Sequence, residues 1–321
     1  MAIIAGIDEA GFGPVLGPLV VSASVFRCPE ADVDACGWRS LGAAVTRKHF
    51  RKSPALPVAD SKALRVRTAG LVHIERGVLG MLEQMPPAPA SLWELLRRVA
   101  PGALVDLSGY PWYAGADLPL PRQADAKDIS LRARPVAEAM AAKGVVLEAV
   151  RCEPVLAAQY NRLVAATRNK SVALFGLTSR LIAHVFNTYG VGGPTRIVVD
   201  RQGGRMRYLG PLQRMFQGAA IRIIEESDCR SAYAVRDGDR SADITFVTRA
   251  EAESLPVALA SMVSKYLREL FMELLNAWWA ERTPGLKPTA GYYTDGRRFL
   301  RDIAQVLAAQ GFDRSLLVRS R

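Results

Sequence analysis

Ile3-Ile4-Ala5-Gly6-Ile7-Asp8-Glu9-Ala10-Gly11-Phe12-Gly13-Pro14-Val15-Leu16-Gly17-Pro18 is the stretch from which the rest of the chain is read. Its apolar run predicts a buried central strand ended by two adjacent acids. A Gly/Pro-rich turn follows, and the second apolar run Leu19-Val20-Val21-Ser22-Ala23-Ser24-Val25-Phe26 makes the pair a hairpin. Side chains alternate along a strand, so Ile4, Gly6 and Asp8 share one face while Ile7 and Glu9 take the other. A carboxylate at the end of a strand apolar on both faces is costly unless a cation or hydrogen-bond donors compensate it. Two readings follow: a divalent metal between the acids, or an Asp-Glu pair that caps the turn.

The segment Gly6-Ile7-Asp8-Glu9-Ala10-Gly11, with Gly13-Pro14 and Gly17, resembles the amino-terminal motif of type 2 ribonucleases H, the ribonuclease HII group. Further segments resemble the same family in the same order. Asp60-Ser61-Lys62 opens a short helix after the hairpin, with Asp60 or Ser61 as N-cap. Glu153-Pro154 is followed seven residues on by Asn161 in a helix expected over 155–189. Arg196-Ile197-Val198-Val199-Asp200 is a second apolar strand ending in an acid. A long helix over 255–280 carries a small-residue run, Ser261, Lys265 and Arg268, with Pro256 in its first turn. Gly291-Tyr292-Tyr293-Thr294 follows, before a last helix over 296–310.

The resemblance implies an α/β, ribonuclease H-like fold: a mixed central sheet flanked by helices, with a helical C-terminal part. One domain over 1–321 is expected, with a Pro-rich insertion at 84–144 carrying a short helix (91–99) and a loop. Strands are expected at 145–150 and 221–225, and 244–247 is expected to pair beside the latter.

The implied chemistry is hydrolysis of the RNA strand of RNA–DNA hybrids on Mg²⁺ or Mn²⁺. Two ions need several convergent oxygen ligands. Asp8 and Asp200 each end an expected central strand, so parallel neighbours would set their carboxylates side by side. The resemblance implies Asp8, Glu9, Asp200 and a fourth acid as metal ligands. Counting back ten from Ser261 gives Glu251, where the family usually has Asp; Asp243 and Glu253 are the alternatives. It also places Gly11, Phe12, Gly13, Lys62, Lys265 and Tyr292 against substrate. Phe12 stands where the family normally has Arg between the glycines. This removes a phosphate contact and leaves a ring that can stack on a base or sugar. Arg201-Gln202 and Arg297 also depart from the pattern. Metal ligation is therefore expected to be retained and substrate reading altered. The rival reading is a nucleic-acid-binding protein on this fold with lost or redirected nuclease activity.

A formal charge of +11, from 42 Lys and Arg against 31 Asp and Glu, favours a nucleic-acid partner: a hybrid or a ribonucleotide-containing duplex. Three histidines outside any motif disfavour a His-based zinc or triad mechanism. Gly11–Gly17 lacks the Lys-Ser/Thr of a Walker loop, and Pro14 removes an amide. Cys28, Cys36, Cys152 and Cys229 lie far apart with no metal-ligand spacing. With no signal-like segment or membrane-length apolar run, a cytoplasmic monomer with reduced thiols is expected.

Overall fold

The computed structural model describes residues 1–33, 37–47, 53–64 and 70–320. Strands β1 (Ala2–Ala10) and β2 (Leu19–Cys28) form the expected antiparallel hairpin, with Asp8 opposite Ser22. Helix α1 (Gly37–Leu41), the short parallel pair β3 (Val45–Thr46) and β4 (Leu56–Pro57), α2 (Ser61–Leu64) and α3 (Val72–Leu82) lead outward from it. Lys62 lies in α2, and its side chain is outside the described residues, as are Cys36 and His49.

The segment 84–144 is more regular than expected. It holds α4 (Leu92–Val99), α5 (Ala103–Leu107) and the 18-residue α6 (Ala126–Lys143). Ser91 caps α4, its side chain accepting from Glu94 N–H. Helix α6 begins at Asp125, which accepts from Lys127 N–H, and ends at Gly144 in the left-handed region. Its interior Pro135 hid it, because Pro removes a helix donor and usually marks a break. Leu92, Leu95, Ile129, Val136 and Met140 sit in one apolar cluster with the long C-terminal helix.

Strand β5 (Val146–Val155) then pairs with β2. The helix expected over 155–189 is two: α7 (Ala157–Thr167) and α8 (Lys170–Tyr189). Arg168 takes a left-handed φ of 50°, and the Asn169 side chain accepts from Ser171 and Val172 N–H to start α8. Strand β6 (Thr195–Asp200), helix α9 (Leu209–Met215) and strands β7 (Ala220–Glu226), β8 (Arg230–Asp237) and β9 (Arg240–Val247) follow. Strand β8 was not foreseen. It lies between β7 and β9, so 244–247 pairs with β8 and β6 rather than with β7. Helix α10 (Leu255–Arg282) is as expected, and the last helix is split at Ile303 into α11 (Tyr293–Asp302) and α12 (Ala304–Gln310).

The main sheet has the order β5-β2-β1-β6-β9-β8-β7, with β1, β6 and β9 parallel and the outer pairs antiparallel. It is the expected mixed sheet with helices on both faces. Ile3, Ala5 and Ile7 face α8, packing with Leu181, Ile182 and Val185. Gly6 faces α10 so closely that a Cβ there would lie 2.0 Å from Val257 N. That contact explains the glycine in an otherwise branched strand. Cys28 and Cys152 are buried, and Cys229 is exposed. No helix among the described residues is long and apolar enough to cross a membrane.

Candidate active site

Parallel pairing of β1 with β6 sets Ile7 beside Val199, so the next residues, Asp8 and Asp200, lie side by side. Asp200 ends β6, whereas β1 runs two residues past Asp8 to Ala10 rather than ending at the acids. Both point to the α10 face, by the alternation that puts Gly6 and Val198 there. Asp8 is 7% exposed, and its Oδ1 accepts from Glu9 N–H at 2.7 Å. Burial, and then the carboxylates of Glu9 and Asp200, push Asp8 well above its ordinary value; a hydrogen bond from Ser261 opposes them.

Asp200 Oδ1 accepts from Ala250 N–H at 2.9 Å. Ala250 belongs to a tight 3-10 turn, Ala250–Ala252, between β9 and α10, entered through Arg249 at a left-handed φ of 58°. That turn carries Glu251, which is 8% exposed and has a buried Oε2 with no hydrogen-bond partner among the described residues. The alternatives lie elsewhere: Asp243 pairs with Arg196, four residues before Asp200, about 13 Å along the strands. Asp243 and Glu253 line a separate depression with Ile4 and Ser254.

The acids meet as neighbours rather than as a closed cage. Among the described residues no group of three or more His, Cys, Asp or Glu side chains could hold a metal ion. The donor set still suits a hard divalent cation. It is all oxygen, and it includes the Glu251 oxygen that has no partner among the described residues. Asp8 is held toward its neutral form by burial and then by neighbouring charges that a cation would offset.

Ser261 links this centre to the Asp60-Ser61-Lys62 segment, since its Oγ lies within hydrogen-bond distance of Ser61 Oγ, at 3.3 Å. One turn later Ser264 Oγ donates to Asp8 O at 3.1 Å and lies 2.7 Å from Ser22 Oγ. These serines were not singled out as site residues. Their signal was present: two hydroxyls three apart in the apolar stretch of α10 point to one buried partner.

The glycine turn follows Glu9 directly. Gly11 has a φ of +92°, and a Cβ there would meet Pro18 O at 2.6 Å and Arg268 Nε at 2.7 Å. Phe12 is half-buried and packs against the α8-side core. Gly13 is exposed with open space around it. Lys265 forms an ion pair with Glu269 one turn along α10. Arg268 is 1% exposed and donates to Ala290 O at 2.8 Å. Its guanidinium lies 5.9 Å from the ring of Tyr292, which is 51% exposed. Gly291 O accepts from Val15 and Leu16 N–H, so the Tyr292 segment borders the glycine turn. Arg201 is spent on the carbonyls of Arg205, Ser227 and Asp228, and Arg297 donates to Tyr293 Oη.

A cleft of about 730 Å³ lies away from the acids, between α5, the edge strand β5, α7 and α8, with Arg151, Arg162, Arg180 and His184 on its walls.

No protein-family model and no curated protein matches the chain. Among solved structures it is similar to RNase HII of Archaeoglobus fulgidus, in that protein's complex with PCNA. The identity is 16%, with 99% of this chain and 94% of that one covered and a TM-score of 0.45. It is similar to Bst-RNase HIII in complex with Mn²⁺, at 14% identity over 99% of this chain and 66% of that one, with a TM-score of 0.47. It is similar to the ribonuclease H2 of Pyrococcus horikoshii OT3, at 16% identity over 98% and 92%, with a TM-score of 0.41. On its own sheet order, strand directions and covering helices, the fold of the chain is ribonuclease H-like.

Proposed function

We propose that the chain is a Mg²⁺- or Mn²⁺-dependent endonuclease that hydrolyses the RNA strand of RNA–DNA hybrids. The observation that carries the reading is the pair Asp8 and Asp200 side by side on adjacent parallel strands, with Glu251 in the turn that hydrogen-bonds Asp200. Asp8, Glu9, Asp200 and Glu251 are the residues that would hold the ions. When bound, such ions supply an activated water and stabilise the leaving oxygen. Ser261 and the Glu9 amide hold the Asp8 carboxylate in place. The Ala250 amide does the same for Asp200. Gly11 and Gly13 let a nucleic-acid strand approach the backbone closely. Phe12, half-buried, and Tyr292, exposed, offer aromatic surface beside the turn. Lys62 and Lys265 supply positive charge toward phosphates, Lys265 after exchanging its Glu269 partner. A cytoplasmic monomer acting on hybrid or ribonucleotide-containing duplex is the setting we assign.

The test is cleavage of an end-labelled RNA–DNA hybrid, and of a duplex with one ribonucleotide, in Mn²⁺ and in Mg²⁺. Asp8→Asn is expected to cut the rate by more than about 100-fold, beyond the cost of losing an outer partner of a metal site. An unchanged rate would remove the assignment.

A second reading is favoured by the lack of a closed group of three ligands among the described residues and by the packed Phe12. It is a nucleic-acid-binding protein with lost or redirected catalysis. Hybrid binding without turnover in any divalent metal would select it.

A further inference from the structure

The segment that carries Arg319 returns to the glycine turn from 308 residues away in sequence. Arg319 Nη1 donates to Gly11 O, and Nη2 donates to Phe12 O at 3.2 Å. Its backbone N–H donates to Val15 O at 2.9 Å, and Val318 bridges Leu16. Helix α7 holds the segment from the other side. Asn161 Nδ2 donates to Ser315 O and Val318 O, and its Oδ1 accepts from Ser320 N–H. The Tyr160 ring lies 4.0 Å from the guanidinium.

Arg319 is 3% exposed, and among the described residues no carboxylate pairs with it. Burying an unpaired guanidinium is unfavourable unless its donors are used. Two of them are used on consecutive carbonyls of one turn. In a trans peptide the N–H points opposite the C=O. The two peptides whose oxygens face Arg319 therefore turn the Phe12 and Gly13 amides away from it, toward the open side of the turn. Among the described residues neither amide has a protein acceptor, and nothing lies within 4 Å of a Cβ built on Gly13.

We infer that Arg319 is a positioning residue for the substrate side of the site. It locks the Gly11–Gly13 turn with two successive amides facing outward, and the segment 314–320 is the brace that holds it there. The inference rests on the proposed nuclease reading for what the amides meet, and on the contacts alone for the lock.

Arg319→Met and Arg319→Lys test it, beside Val235→Ala, a core substitution in β8 chosen as a stability control. Arg319→Met is expected to raise KM for the hybrid by about 10-fold or more while kcat changes by less than about 3-fold. Arg319→Lys, with one ammonium in place of the fork, is expected to fall between Met and wild type. The same variants are read by hydrogen exchange at the Val15 and Leu16 amides, which the locked turn presents to Gly291 O at 2.8 and 3.2 Å. Exchange there is expected to quicken about 10-fold in Arg319→Met. Wild-type KM and wild-type exchange in a folded Arg319→Met overturn the inference. A KM rise of the same size in Val235→Ala also overturns it. If Arg319→Met does not fold, Arg319→Lys decides by the same two readouts. If wild type cleaves no hybrid, the nuclease reading fails and exchange alone decides the lock: faster exchange supports it and unchanged exchange removes it.

Discussion

Asp8 carries the conflict on which the site is built, a buried carboxylate beside two others. A raised folded value means the folded protein binds more protons than the unfolded chain between about 3.8 and that raised value. Stability contributed by this residue is therefore present at low pH and falls as pH rises through the window. Asp8→Asn removes that fall. In EDTA the variant is expected to melt above wild type, with a Tm gap that widens as pH rises above 3.8. Carboxylates held below their ordinary value by their partners, such as Asp128 and Asp295, act in the opposite direction but equally in both proteins. A gap that stays flat with pH would mean that Asp8 is not the strained charge. Adding Mn²⁺ is expected to raise Tm in wild type more than in Asp8→Asn, because a ligand that binds only the folded state stabilises it. Gly6 gives a prediction of a different kind. Its would-be Cβ meets the backbone of Pro256 and Val257 at 2.0–2.6 Å, and backbone atoms cannot swing aside. Gly6→Ala should cost about 3 kcal/mol or more by urea unfolding, at or above the upper range for overpacked cores. That Asp8 shares the Gly6 face of its strand was legible because strand alternation is a local property. The buried arginines were not, because the carbonyls that Arg268 and Arg319 serve come from distant loops.

Elements were legible where one period dominated. The long apolar face of α10 and the β1–β2 hairpin gave themselves away, while Pro135 concealed α6 and the left-handed Arg168 divided α7 from α8. Strand β8 reads as Arg-Ser-Ala-Tyr-Ala-Val-Arg-Asp, with charges at both ends and only Tyr233 and Val235 as strong strand formers between them. It becomes a strand because β7 and β9 satisfy its backbone on both sides. What ties the 84–144 segment to the sheet is invisible in sequence. Glu75 of α3 is fully buried and accepts from the backbone amides of Arg122, Gln123 and Ala124 at 2.6 Å each. The Tyr266 hydroxyl of α10 donates to it at 2.7 Å. Burial and the Glu75 charge push that phenol up, so it stays a donor. Hydrogen bonds to a charged group contribute about 1.5–3 kcal/mol each and are not additive. Glu75→Ala strands three amides and a phenol. It is expected to destabilise by about 3 kcal/mol or more, with proteolysis appearing first between α5 and α6. Cleavage that begins elsewhere would show that Glu75 is not the tie.

At the scale of the whole molecule the excess charge of +11 cannot be read as ion pairing. Pairs such as Arg27–Glu148 and Arg122–Glu273 cancel within the sum and leave the surplus. Surplus charge acts on a polyanion by counterion release, which makes affinity fall steeply with salt. Tyr292 acts differently, because an exposed neutral ring beside the glycine turn contributes contact without charge. The two contributions separate in one experiment. Hybrid binding, measured by anisotropy with Asp8→Asn to prevent turnover, should weaken by about 100-fold or more between 50 and 200 mM salt, as expected for four or more phosphate contacts. Tyr292→Ala should lower affinity by about 1–3 kcal/mol at every salt concentration, the scale of one base–aromatic stack, and leave the slope unchanged. A changed slope would mean that the substitution disturbs Arg268 beneath the ring and reads out charge after all. Salt-insensitive binding would remove the phosphate backbone as the main partner of this surface.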